Sequence, residues 1–256
     1  MRPIRASVLL GLAAGLLMGG GRLALAQTQP APPAGAPPVR ANRVYGEKPP
    51  PAVPARIERL SDTRLRVGAV QVDLQKKEVS VRGVINSVPL IEFVVNTKDG
   101  YKSYESAIEA DSNAIDFNLA LILIGLDRSR ATTRPRFHFD PVPPNGDPVE
   151  VWVSWKAGTE EKRVPADELI YDDGAKRPLP PGTWVYTGSQ FMPRSKAFLA
   201  DVDGVLIGFV HTPAPLIERV DAVPGPFGAV TLNPTLDLKP GTEVTVTVRA
   251  LPLPKK

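Results

Sequence analysis

The sequence predicts an α+β domain: mainly antiparallel β-sheet, arranged as a sandwich or partial barrel, around one buried central helix at about 112–125. Three observations carry this. Apolar residues alternate with polar ones in several short segments separated by turn residues, the period-2 signature of strands with one wet face. One stretch, Leu119 to Ile124, is apolar on every side, as suits a helix packed against a sheet. Helices and strands do not alternate along the chain, so there is no parallel-sheet rhythm.

The chain divides into three parts. Arg2 and Arg5 precede an apolar run over 6–18, Gly19-Gly20-Gly21-Arg22 breaks it, and Ala24-Leu25-Ala26 has the small-x-small form a signal peptidase reads. The run is shorter than the ~20 residues a membrane span requires. Residues 1–26 therefore read as a secretory signal peptide without a twin-arginine pair, and the expected location is periplasmic or secreted. With no second apolar stretch, no transmembrane anchor is expected after cleavage. Residues 27–56 follow as a Pro-rich tether: nine prolines fall between Gln27 and Ala55, several adjacent, with alanine and glycine between them. Such a segment buries no core and runs as a semi-rigid spacer, at most about 90 Å at ~3.1 Å per residue. Residues 57–256 remain as a single β-rich domain with a C-terminal strand extension.

Charge and composition close several function classes. The chain holds 31 basic and 27 acidic residues; setting aside the seven cations and one carboxylate before Ile57 leaves 24 and 26, near balance. The basic character thus lies outside the domain, and nucleic acid is not an expected partner. The absence of cysteine removes disulfides, Cys-ligated clusters and thiolate zinc sites. No phosphate loop or dinucleotide glycine pattern is present, and two histidines, His138 and His211, cannot form a His triad for a metal. Each is expected to be structural or superficial. No cofactor, metal or catalytic residue is assigned.

Within the domain, Val70, Val72 and Leu74 alternate with Gln71, Asp73 and Gln75, and the pattern resumes at Val79 and Val81 beyond Lys76-Lys77, predicting a hairpin. Leu90 to Val95 reads as a strand buried on both faces. The helix follows, capped by Asp111-Ser112-Asn113, with Asp116 in its first turn and Gly125 at its end. Val149, Val151, Val153 and Trp155 form the next alternation. Phe198 to Val202 and Val205 to Val210, joined by Asp203-Gly204, predict a hairpin on a type I′ turn. A short helix is expected near 214–220. Val244, Val246 and Val248 close the pattern after the turn at Lys239-Pro240-Gly241.

Candidate site residues are few. Asp201-x-Asp203-Gly204 resembles the opening of a calcium loop but lacks the later ligands, and Asp172-Asp173-Gly174 reads as a turn. Two segments place polar groups at the ends of apolar strands: Tyr104-Glu105-Ser106, before the helix, and Thr187-Gly188-Ser189. A buried Glu105 beside Ser106 offers a general base or oxygen ligand; the alternative is that both cap the helix entry. Thr187-Gly188-Ser189 offers backbone N–H groups to an anion, or is a strand bend. Trp152 or Trp184 would serve as a stacking platform for a sugar only if exposed.

Val72-Asp73 with Val79-x-Val81-x-Gly83, Leu90-Ile91-Glu92-Phe93, Gly100 with Glu105-Ser106, Leu121-x-Leu123-x-Gly125, Trp155, Glu168-Leu169, Trp184-x-x-Thr187-Gly188-Ser189 and Ala200-Asp201-x-x-Gly204 occur in that order. Over roughly 66–219 the chain resembles the YdjY-like domain family of bacterial exported proteins. The resemblance brings no assigned activity; a ferredoxin-like label sometimes attached to members does not suit a chain without cysteine. Members often carry His before Glu-Ser, where this chain has Tyr104.

The resulting expectation is an exported, non-catalytic binding or structural module of the cell envelope, meeting an envelope protein or small ligand through Glu105, Ser106, Thr187, Gly188, Ser189 and Asp201. The competing expectation is a hydrolase or oxygen-ligand metal protein using Glu105 with Ser106, Ser189 or Asp201, which requires those groups to converge.

Overall fold

A computed structural model describes residues 57–253 apart from 133, 135, 138 and 222–228. The segments expected to be a signal peptide (1–26) and a Pro-rich tether (27–56), together with His138, lie outside the described residues. A meander opens the chain: β1 (Ile57–Arg59), β2 (Arg64–Val67), β3 (Val70–Asp73) and β4 (Glu78–Ile85), each antiparallel to the last. β5 (Phe93–Thr97) leads through a 3₁₀ turn at Tyr101–Glu105 into β6 (Ser106–Ala110) and helix α1 (Ala114–Leu123). β7 (Asp147–Ala157) and β8 (Glu160–Pro165) form a long hairpin, followed by the short helix α2 (Ala166–Leu169). Then come β9 (Ile170–Asp172), β10 (Arg177–Pro178), β11 (Trp184–Tyr186), helix α3 (Leu199–Asp203), β12 (Val205–Gly208), β13 (Ile217–Arg219), β14 (Val230–Leu232) and β15 (Glu243–Ala250).

Eight strands close a mixed barrel in the order β4-β15-β7-β11-β13-β12-β5-β6, with β6 returning to β4. β4 is long enough to hold two neighbours on one edge: β3 pairs its first half and β6 its second. β7 does the same with β11 and β8. The period-2 pattern explains the interior. Val246 lies between Val81 and Val153, and Val248 between Val79 and Val151, all buried, while Thr245 and Thr247 point outward. Each such valine contributes about 1.5–3 kcal/mol by leaving water. Where β6 joins β4, a Cβ on Gly83 would lie 2.6 Å from the Glu109 carbonyl oxygen, so glycine permits the closure. The pairings β5–β6 and β12–β13 are parallel, a feature the sequence pattern did not signal.

The helix is where the sequence placed it. Asn113 accepts from the Asp116 N–H at 2.8 Å, and Gly125, at φ 100°, ends it. Phe117, Ala120 and Leu121 are buried against β2, β3, β12 and α3. Two local expectations are corrected. Phe198 to Val202 is not the first arm of a hairpin: α3 occupies it, and Gly204 at φ 70° is its left-handed C-terminal cap. The same glycine chemistry serves both structures. The helix expected near 214–220 is absent; β13 runs there, its three residues buried between β11 and β12. Pro213 and Pro215 lack the N–H a helix needs, and two ladder partners satisfy the strand.

Candidate functional site

The segment between β5 and β6 makes a close crossing with the end of α3. A Cβ on Gly204 would stand 2.5 Å from the Gly100 Cα, and the Thr97 N–H donates to the Gly204 carbonyl at 2.8 Å. This approach brings Asp203 to the 3₁₀ turn, where Lys102 Nζ lies 2.6 Å from Glu105 Oε1 and donates to the Tyr104 hydroxyl at 3.1 Å. The rings of Tyr104, Tyr101 and Phe93 surround the ammonium at 5.4, 5.8 and 6.0 Å. Burial pulls the Lys102 pKa down, but its hydrogen bonds to Glu105 and Tyr104 outweigh it and hold the ammonium above its ordinary range. Burial, reinforced by the Glu105 carboxylate and opposed by Lys102, raises Glu92. Burial also raises Asp203, against Lys102 and with Glu105. One cation thus serves three carboxyl groups, and the buried Asp203 Oδ1 has no hydrogen-bond partner among the described residues.

Ser106 is fully buried, and its hydroxyl donates to the Lys102 carbonyl at 2.7 Å. Neither Glu105 nor Ser106 caps α1; Asn113 does.

Thr187-Gly188-Ser189 follows β11 as a bend, with φ 68° at Gly188 and 56° at Ser189. The N–H groups of Thr187 and Gly188 both donate to the Leu216 carbonyl, at 2.9 and 3.1 Å, and the Thr187 hydroxyl donates to the Pro215 carbonyl at 2.9 Å. The Ser189 hydroxyl accepts from the Ala200 N–H at 3.1 Å and donates to the Pro213 carbonyl at 3.4 Å. Asp201 faces α1, where burial raises Asp116, its bond from Asn113 opposes that, and the Asp201 charge adds to it. Helix α3 therefore joins the predicted segments: its first turn rests on Ser189 and its end on the Lys102 centre. No hydrogen bond or ion pair links Glu105 or Ser106 to Thr187 or Ser189 among the described residues, where no group of His, Asp and Glu side chains has metal-site spacing either.

His211 is buried, its two ring nitrogens each 3.1 Å from a backbone carbonyl, those of Asp140 and Val220. Trp184 is buried and donates to Asp167 at 3.1 Å, and the half-buried Trp152 ring carries the Arg163 guanidinium 4.7 Å above it. Asp172 accepts from the N–H groups of Gly174 and Ala175, as a turn requires.

A half-open groove lies elsewhere. The second half of β4, the start of β15 and the end of β7, flanked by β6 and β8, bound a groove of about 610 Å³. Arg82, Thr245 and Ser154 lie side by side across its strands, as do Glu109, Val84 and Glu243. Lys98 pairs with Asp111 at 3.1 Å and the Arg82 carbonyl accepts from the Asp111 N–H at 2.8 Å, whereas the Arg82 guanidinium has no hydrogen-bond or ion-pair partner among the described residues. Sequence reasoning missed this groove. Its only local signal is the polar half of each alternation, which marks a wet face without saying which strands share it.

The chain belongs to the YdjY domain family, whose model matches residues 70–249, from β3 through most of β15. No curated protein and no solved structure matches it.

Proposed function

We propose that this YdjY-domain chain is an exported, non-catalytic binding module of the cell envelope that holds a small polar ligand in the β4–β15–β7 groove. The observation that carries the reading is the unpaired, exposed Arg82 guanidinium on a groove of about 610 Å³, with Thr245 as its cross-strand neighbour and Ser154 and Glu243 on the same lining. Convergent charged and hydroxyl groups around a concave surface are what recognise a ligand rich in hydroxyls and charges of both signs. The leader and the Pro-rich tether support the envelope setting. Fragments of cell-wall glycan and peptide have the matching chemistry.

The non-catalytic half of the reading rests on commitment of the reactive groups. Glu105 is held by Lys102, and the Ser106 and Ser189 hydroxyls donate to backbone carbonyls instead of facing a base. In this reading Glu105, Ser106, Thr187, Gly188, Ser189 and Asp201 position α3 and the rim of the barrel.

Thermal melts of the wild type, Arg82→Ala and Ser189→Ala against sugars, soluble peptidoglycan fragments, small anions and divalent metals test this. A ligand at a hundred times its Kd adds about 2.7 kcal/mol to native-state stability. A probe that raises the wild-type Tm and loses its effect in Arg82→Ala, with the unliganded melt unchanged, is the expected result. A rise that survives Arg82→Ala and disappears in Ser189→Ala, or no rise with any probe, overturns it.

A further inference from the structure

Two loops stand side by side at the end of the barrel beyond β11. Arg134 and Arg136 of the first, after the 3₁₀ turn at Arg128–Arg130, and Ser189 and Gln190 of the second line one void of about 10 Å³. Both loops are anchored beneath. Arg136 forms a two-pronged pair with Glu218, both side chains buried, and the Asp140 carbonyl meets His211. Arg128 Nε donates to the Ser189 carbonyl at 2.9 Å. Each loop also holds a non-glycine residue in left-handed backbone, Phe139 and Lys196, both at φ 57°. A bulky residue adopts that conformation only where its surroundings enforce it.

Above these anchors the loops carry exposed apolar side chains. Phe191, Phe139 and Phe137 are 64, 60 and 56% exposed, the three most exposed large apolar side chains among the described residues, and Val142 is 50% exposed. Single exposed apolar residues are ordinary, but several gathered on adjacent loops mark a contact surface. The charge there is one-sided. Asp140 and Glu218 are already paired with Arg134 and Arg136. Arg194 and Lys196 are exposed with no carboxylate partner among the described residues, and Arg128 bonds only backbone carbonyls.

We propose that these loops form a peripheral membrane-contacting face. Phe137, Phe139, Val142 and Phe191 enter the boundary between headgroups and acyl chains of a bilayer carrying anionic phospholipid, while Arg194 and Lys196 meet its phosphates. Apolar tips flanked by unpaired cations, with no free carboxylate between them among the described residues, complement a phosphate-covered apolar slab better than a protein surface with donors and acceptors of both kinds. The proposal is independent of the groove.

Because the chain has no cysteine, one introduced thiol reports one position. The full chain carrying S195C, labelled with an environment-sensitive dye, is titrated with vesicles of phosphatidylcholine alone or with phosphatidylglycerol. K162C, on β8, is the reference. Expected is a blue shift at position 195 with anionic vesicles only, reversed by high salt, with none at 162. In the same background F137S/F191S abolishes the shift with the native circular-dichroism spectrum retained, and R194A/K196A weakens partitioning by about thirtyfold. No shift at 195, equal shifts at 195 and 162, or equal response to neutral vesicles overturns the proposal. Retention of the shift in F137S/F191S does so too.

Discussion

The Lys102 ammonium lies 2.6 Å from the Glu105 carboxylate, and together they fill the space that the sequence marked out as a reactive site. The pair is largely buried, its side chains 20 and 10% exposed. Removing one member strands the other's charge in a poorly solvated place, whereas removing both does not. Lys102→Met is expected to destabilise the domain by about 2–4 kcal/mol in urea unfolding, with much of that loss recovered in Lys102→Met/Glu105→Leu. A neutral Lys102→Met would show that the pair does not hold the 3₁₀ turn.

Asp203 gives the centre a pH dependence. Its folded-state pKa is raised, chiefly by burial, so the folded chain holds the proton more tightly than the unfolded one. That contribution is complete below the ordinary carboxylate range and is lost as pH rises through the raised value. Asp203→Asn, which keeps the shape without the charge, is expected to melt above the wild type at pH 7, with the gap closing toward pH 4. A gap that widens on acidification would contradict the assignment.

The approach of Gly204 to Gly100 is a third expectation. A methyl group at Gly204 meets the Gly100 Cα at 2.5 Å and sits at φ 70°, so contact and backbone both oppose it. Gly204→Ala is expected to cost about 2 kcal/mol or more, measured by denaturant midpoint, against a few tenths for an ordinary surface change. Gly158→Ala is the control: its φ is 65°, but no atom crowds its Cβ within 4 Å. The difference between the two isolates the crossing contact.

The signal peptide expected at residues 1–26 makes a separate prediction. Full-length chain expressed in a Gram-negative host is expected to appear in the periplasmic fraction with Gln27 as its first residue by intact mass. Retention of residues 1–26 in the cytoplasmic fraction would remove the envelope setting.

What the sequence disclosed depended on how local each signal was. The hairpin at Val72 and Val79, the alternation at Val151 and Val153, and the Asn113 cap are written within a few residues, and all three are in place. Asp203-Gly204 misled because a left-handed glycine ends a helix as readily as it turns a hairpin. The strand at Ile217 was hidden because its partners, Tyr186 and Ile207, come from elsewhere in the chain. The groove was hidden for the same reason: Arg82, Ser154 and Thr245 become neighbours only through strand register, and nothing near any one of them in sequence announces the other two.

The proposed binding function depends on where a ligand sits. Amide chemical-shift mapping of the ¹⁵N-labelled chain, titrated with soluble peptidoglycan fragments and with simple sugars, addresses that directly. Perturbations concentrated at Arg82, Val84, Ser154, Lys156, Glu243 and Thr245, and absent in Arg82→Ala, are the predicted result. Perturbations centred on Glu105, Ser106 and Ser189, or none with any fragment, would contradict it.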